Sequence, residues 1–447
     1  MNLKEQILNY QQDIINDLQI LVGFPSILNK DSKYPYGDDN AKCLDACLKI
    51  FNNYGLNVTN VDYHAGFGEV GKGDKLIGIL AHLDVVPVGD GWDSDPFSLT
   101  IKDNKAYGRG TSDDKGPLIA GLYAIRLLLD NNININKRIR LIVGCNEENG
   151  SSCLDYYVNQ YGHIDYGFTP DASFPGIYGE KGNINVTIGV NNSNIISING
   201  GVAANVVCDK VIFKLVKDSI DINKLKEYYN NNDIEYDIDE NLYEFIVYGK
   251  PAHGSTPSLG INAISYALTG LAYCGYQDPL VDYYNKYINI YTDGSLYDLK
   301  CNDEYGDLTL NIGKIYNDND KIAFTIDIRY PVTKDGQLLI NKILDTKSNN
   351  IEILDFKCGK ALFYKPDSPM IKALVSAYQK VSNDYQSKPC VIGGGTYSKG
   401  INNCIAFGGD FNDEHTKIHE ANEFIKIDNL LKQIEIYYYA LLNLLEL

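Results

Sequence analysis

Two apolar runs with a helical pattern between them constrain this chain more than any other feature. KLIGILAHLD (75–84) and IRLIVGCNEE (139–148) each hold a nearly unbroken apolar stretch of strand length. That is the signature of a strand buried on both faces of a sheet. Between them, KGPLIAGLYAIRLLLDN (115–131) has the length and apolar content of a crossover helix. Strand, helix and strand in this order predict parallel pairing and an α/β domain. Both runs end in residues able to do chemistry. His82 and Asp84 stand two apart and share one face if the strand continues. Glu147 and Glu148 follow the second run directly. In open α/β sheets the carboxyl ends of the strands are where ligand sites collect.

The pattern changes after Gly179. INVTIGV, KVIFKLV, YEFIVYG and KIAFTIDIRYP alternate apolar and polar residues, as half-buried antiparallel strands do, and GINAISYALTGLAY reads as a helix among them. Residues 230–241 are rich in Asn and Asp and predict a solvated connection. Helical patterning resumes with SPMIKALVSAYQKVSND, followed by a Gly-rich turn, a short strand in CIAFGGD and a C-terminal helix in IDNLLKQIEIYYYALLNLL. The expectation is an α/β domain with a mixed, mostly parallel sheet flanked by helices, built from residues 1–180 and 365–447. An α+β domain with an antiparallel sheet, residues 181–364, is inserted into it.

Of the chain's 447 residues, 58 are acidic and 40 basic, a formal charge of −18. That excess of negative charge argues against a nucleic-acid partner and against an anionic membrane surface. No apolar run is long enough to cross a bilayer. The N-terminal stretch carries charges and amides throughout and reads as an amphipathic helix through Ile7, Ile14, Ile15, Leu18 and Leu21, not as a signal peptide. The ten cysteines include no Cys-x-x-Cys pair. A reduced, cytoplasmic protein is the reading.

Further His and acidic residues fall at predicted strand ends and loops: Asp113 and Asp114 in GRGTSDDKG, Asp171 in FTPDASFP, His415 and His419 in HTKIHEANE. Any one of them alone reads as a turn or a solvated edge. Their gathering around one α/β domain does not, because carboxylates beside a buried strand need a compensating charge, which a divalent cation supplies. A mixed imidazole and carboxylate set suits zinc, and also manganese or cobalt. With one bridging carboxylate such a set can hold two ions roughly 3.5–4 Å apart. Gly393, Gly394 and Gly395 form a Gly-rich turn, but no Gly-Lys-Ser/Thr follows, so a nucleotide site is not expected.

HLDVVPVGDGWDSDPF, YGRGTSDDKGP, NEENG, PDASFP with GEKG, GGVAANVV, GKPAHGSTPSLGINA, DIRYP, GGGTYSKG and HEANE occur in this order. As a set they strongly resemble the PepV-type dipeptidases (carnosinase-like enzymes that include Xaa-His dipeptidases). These belong to the dinuclear-zinc superfamily that also holds aminoacylases, carboxypeptidases and succinyl-diaminopimelate desuccinylase. The resemblance runs from about residue 10 to the C-terminus. The stretch between Phe407 and His419 matches less closely.

The resemblance implies roles. His82 and Asp171 serve one zinc, Glu148 and His419 the other, and Asp113 bridges them. Asp84 orients the His82 imidazole, and Glu147 is the general base. The inserted domain is a lid. Its His253 stabilises the oxyanion, and its Asn205 and Arg329 hold the substrate, Arg329 by gripping the free carboxylate. Gly394, Gly395 and Thr396 line the substrate pocket. The implied activity is zinc-dependent hydrolysis of dipeptides with broad specificity. A hydroxide bridging the two zinc ions attacks, and the N-terminal amino acid is released; Mn(2+) or Co(2+) are possible substitutes. The alternatives are an amidohydrolase acting on N-acyl amino acids or N-succinyl-diaminopimelate, and a non-catalytic metal-dependent peptide-binding protein. The expected partner is a small dipeptide. The resemblance leaves both a monomer and a weak homodimer open.

Overall fold

A computed structural model describes residues 2–413 and 415–447. The chain divides into two compact units. The first runs to Gly179 and resumes over Tyr364–Val391 and Gly395–Leu447; the second comprises Glu180–Phe363 and Ile392–Gly394.

The first unit is built on a mixed sheet. Its strands include β1 (Asn57–Val61), β2 (Ala65–Val70), β3 (Leu76–His82), β4 (Arg138–Gly144), β5 (Tyr166–Thr169) and β6 (Cys404–Ala406), in the spatial order β1-β2-β4-β3-β5-β6. β3 pairs in parallel with β4 on one side and β5 on the other, and β6 runs parallel to β5. β1 and β2 extend the edge in antiparallel fashion. The sheet is thus parallel at its centre, where both faces are covered. Every residue of β3 is buried, which is why its sequence is a continuous apolar run. The crossover helix α1 (Lys115–Asp130) is also apolar nearly all round, because it lies between β3 and the C-terminal helix α2 (Ile427–Leu445). The register sets His82 opposite Gly144, so β3 and β4 end side by side.

The second unit is an antiparallel sheet with helices. Gly182–Val190 pairs with Lys321–Tyr330 and Ile351–Gly359, and Lys210–Lys214 pairs with Glu244–Tyr248. Ile184, Val186 and Ile188 are buried while Asn185 and Thr187 between them are less so, the alternation expected of a strand covered on one face. The buried side joins Phe213, Phe245, Phe324 and Ile326 to Leu225, Leu268 and Ile340 of three helices in one core. Both halves of the predicted fold class are present: a mixed α/β sheet flanked by helices, and an antiparallel α+β unit.

Two local readings are corrected. Residues 230–241 are not simply a connection: Ile222–Asn231 is helical, and Tyr236–Asp239 is a strand paired with Glu244–Tyr248. The strand lies at the sheet edge and its residues alternate between half-buried and exposed, so Asn and Asp are tolerated there. The N-terminal pattern is two helices, Leu3–Asn9 and Gln11–Val22, meeting at Tyr10. No helix among the described residues is long and apolar enough to cross a membrane.

Candidate metal centre

The candidate residues of the first unit converge where β3 and β4 end. Three sequence-distant loops meet there, before α1, after β4 and before α2, and Asp171 joins them from the end of β5. Each is held by its own local device.

The loop before α1 carries Asp113 and Asp114. Gly110 adopts a left-handed φ of +86° there, and a Cβ on Gly116 would lie 2.1 Å from the Thr111 carbonyl, so the turn requires both glycines. Lys115 is fully buried and donates to the carbonyls of Leu21 and Phe24 at 3.0 and 3.1 Å, which anchors the start of α1. Asp113 and Asp114 point to different partners. Asp114 Oδ2 accepts the His82 backbone N–H at 3.2 Å. Asp113 presents Oδ1 to His82 Nε2 and Oδ2 to His419 Nε2, each at 2.9 Å.

His82 is fully buried. Its Nδ1 lies 2.9 Å from the Asp84 main-chain carbonyl and 3.6 Å from the Asp84 carboxylate. The nearer partner that orients the ring is thus Asp84's carbonyl. The Asp84 carboxylate does something the sequence did not suggest. It accepts the backbone N–H groups of Glu147 and Glu148 at 2.9 and 3.1 Å and fixes the turn that carries them.

Ligand atoms of His82, Glu147 and Asp171 lie within 4.8 Å of one another, as do those of His82, Asp113 and Glu148. Glu148 Oε1 is also 3.2 Å from His419 Nε2. His415 pairs with Glu420 at 3.0 Å on an exposed part of the same loop. It is His419, and not His415, that reaches Asp113 and Glu148.

The charges explain the electrostatics. Burial raises Glu147 to about 7, with Glu148 and Asp113 adding to the rise against the pull of His82. Burial also raises Asp84 to about 6 and drives Asp171 well above the ordinary carboxyl range. Burial would raise Asp113 too, but hydrogen bonds with His419 and His82 outweigh it and hold that carboxyl far down. His419 is raised to about 10 by its hydrogen bonds to Asp113 and Glu148. The carboxyl groups of Asp113, Glu147, Glu148 and Asp171 thus share one partly enclosed spot with the imidazoles of His82 and His419. Their donors are oxygen and imidazole nitrogen, a set suited to zinc, manganese or cobalt. Asp113, offered through both oxygens to two nitrogen donors, has the disposition a carboxylate bridge between two ions needs.

Sequence reasoning missed two residues of this centre. Glu423 and Arg109 are buried and form an ion pair at 2.8 Å beneath the Asp113 loop. Both lie inside motifs read for other residues, and only the tertiary pairing sets them apart.

The second unit carries its own cluster. Arg329 Nε donates to Asp327 at 3.1 Å and Nη1 to the Gly393 carbonyl at 3.2 Å. Burial lowers the pKa of His253, and the nearby Arg329 charge lowers it further. Its Nδ1 lies 2.7 Å from Ser255 Oγ. The Gly254 N–H donates to the Asn205 carbonyl at 2.7 Å. Asn205, His253 and Arg329 therefore gather with Asp327, and Gly394 follows Gly393 in the same unit. Gly395 and Thr396 belong to the first unit, where Thr396 Oγ1 accepts the Ser398 N–H at 3.3 Å and caps a short 3₁₀ turn.

The model of peptidase family M20/M25/M40 matches residues 78–443. A Staphylococcus aureus (strain USA300) protein named "Putative dipeptidase" is 35% identical over 469 residues, covering 99% of each chain. Among solved structures, human carnosine dipeptidase 1 superposes with a TM-score of 0.60 at 16% identity, covering 100% of both chains. The di-peptidase Dug1p of Saccharomyces cerevisiae gives 0.59 at 15% identity, covering 99% of this chain and 98% of that one. At those identities the two structures speak to fold alone.

Proposed function

The chain belongs to peptidase family M20/M25/M40, and on that premise we propose that it is a dipeptidase with a two-metal centre. The observation that carries this reading is Asp113, whose two carboxylate oxygens each lie 2.9 Å from a different histidine, His82 and His419. In this reading His82 and Asp171 would hold one divalent cation, Glu148 and His419 would hold the other, and Asp113 would contribute to both. Zinc is the expected metal, with manganese or cobalt as substitutes. Bound there, the cations would polarise a peptide carbonyl and acidify a water molecule.

Glu147 is the proton carrier. A general base works best when its pKa lies near the operating pH, and burial brings Glu147 to about 7. It takes a proton from the attacking water and delivers it to the departing amine. Asp84 keeps Glu147 in place through the backbone hydrogen bond at 2.9 Å.

From the second unit, His253 is assigned to the oxyanion, and Asn205 and Arg329 to holding the substrate. Arg329 can grip a dipeptide's free carboxylate through parallel N–H donors. Gly394, Gly395 and Thr396 are assigned to the pocket wall. The unit itself is assigned the part of a lid. Dipeptide specificity is favoured by the relative named a dipeptidase, which is matched over nearly the full length of both chains.

The deciding experiment offers the metal-loaded protein a dipeptide and an N-acetyl amino acid side by side. Faster release of free amino acid from the dipeptide is expected. Cleavage of the N-acetyl substrate alone would move the assignment to an N-acyl amino acid hydrolase.

A further inference from the structure

Glu423 is fully buried, and its carboxylate is surrounded by donors from the loop that carries Asp113. Oε2 accepts Arg109 Nη1 at 2.8 Å and the Gly110 N–H at 3.0 Å. Oε1 accepts the Ser112 N–H at 2.9 Å and the Asp113 N–H at 3.2 Å. The main chain repeats the connection: the Gly108 N–H donates to the Glu423 carbonyl at 3.0 Å, and Ser112 Oγ donates to the Phe424 carbonyl at 2.9 Å. Charge pairing with Arg109 needs one of these bonds; the other three are backbone N–H groups of the Asp113 loop. The loop is wrapped around this side chain.

Glu423 also stands four residues after His419 on one loop, which closes on itself where the Phe424 N–H meets the Thr416 carbonyl at 3.1 Å. Asp113 and His419 lie more than 300 residues apart in sequence, yet are 2.9 Å apart in space. The hydrogen bonds just described tie their two loops together directly beneath that contact. His82, by contrast, is held within a buried strand and by the Asp84 carbonyl.

We infer that Glu423 is a positioning residue of the metal centre. It fixes the Asp113 loop against the His419 loop and so decides whether the Asp113 carboxylate can serve two ions at once. This inference rests on the two-metal reading above. It makes an asymmetric prediction. Weakening the Glu423 anchor should loosen the ion on the His419 and Glu148 side, while the ion on the His82 and Asp171 side keeps its rigid support.

Glu423→Gln is nearly isosteric but turns one acceptor oxygen into an NH₂ group that faces N–H donors. Ser112→Ala removes only the side-chain bond to the Phe424 carbonyl and leaves the carboxylate in place. Metal-stripped wild-type and variant proteins are titrated with Co²⁺ by calorimetry and by visible absorption, which reports each cobalt environment. The expected wild-type result is two ions bound. The expected Glu423→Gln result is one ion at near wild-type affinity, the second weakened by about 10- to 100-fold, and loss of the absorption contributed by the second ion. Ser112→Ala should weaken the same ion by a smaller factor, and it keeps the test open if Glu423→Gln does not fold. Two ions bound at wild-type affinity in a folded Glu423→Gln protein, or in Ser112→Ala where only that variant folds, would overturn the inference and leave the two-metal reading intact. A wild-type protein that binds fewer than two ions would overturn both.

Discussion

Asp84 holds the backbone of Glu147: its Oδ1 accepts the Glu147 N–H at 2.9 Å while its Oδ2 accepts the Glu148 N–H at 3.1 Å. One buried carboxylate thus sets the direction of both glutamates. Asp84→Asn keeps one acceptor and points an NH₂ group at the other N–H. Leaving that buried donor unpaired costs about 1–3 kcal/mol. The expected outcome is a lower unfolding midpoint in denaturant and a fall in kcat, since Glu147 loses its alignment. Unchanged kcat in a variant destabilised by that amount would separate Asp84 from the chemistry.

Glu147→Gln removes the proposed proton carrier and preserves shape. A positioned general base is worth about 10²- to 10⁴-fold in rate, so kcat should fall within that range. Metal content, measured by plasma emission spectrometry, should stay at the wild-type level. Parallel loss of metal and activity would make Glu147 a ligand. Its place beside His82 and Asp171 within 4.8 Å makes that the outcome to watch for.

Arg329→Lys keeps the charge and loses the planar fork. KM for dipeptides with a free carboxylate should rise about tenfold, with little change for C-terminally amidated analogues, corresponding to about one charge-assisted hydrogen bond. An equal rise for both kinds of substrate would argue that Arg329 serves only to pair Asp327.

In the metal-free protein His419 is held up at about 10 by Asp113 and Glu148. It carries a proton at neutral pH that a cation bound there, as proposed, would displace. Metal uptake at pH 7 should therefore release protons, and apparent affinity should rise with pH. The same shift has a stability sign. A folded-state value above the ordinary 6.5 stabilises the metal-free fold fully below 6.5 and loses that contribution as pH rises towards about 10. Thermal midpoints of metal-free and zinc-loaded protein should diverge across that window. Parallel profiles would contradict the assignment of His419 to the metal.

What could be read from sequence follows from where the free energy is local. The β3 and β4 runs and α1 announced themselves because elements buried on all sides carry continuous apolar residues. The positions of His82 and Glu147 at neighbouring strand ends follow from parallel pairing alone. The Tyr236–Asp239 strand was hidden because an edge strand tolerates polar residues. The part played by the Asp84 carboxylate was hidden because its partners are backbone N–H groups, which no side-chain pattern marks. Glu423 and Arg109 were hidden for a related reason: their pairing spans more than 300 residues of chain and has no periodicity to betray it.

The most direct test of the account is restoration of activity by metal. The protein is stripped with a chelator, offered a mixed panel of dipeptides with zinc or manganese added back, and the free amino acids are followed by mass spectrometry. The account predicts release that depends on added metal, with none in the stripped protein. Absence of release with either metal, in a protein that remains folded and binds the ions, would contradict it.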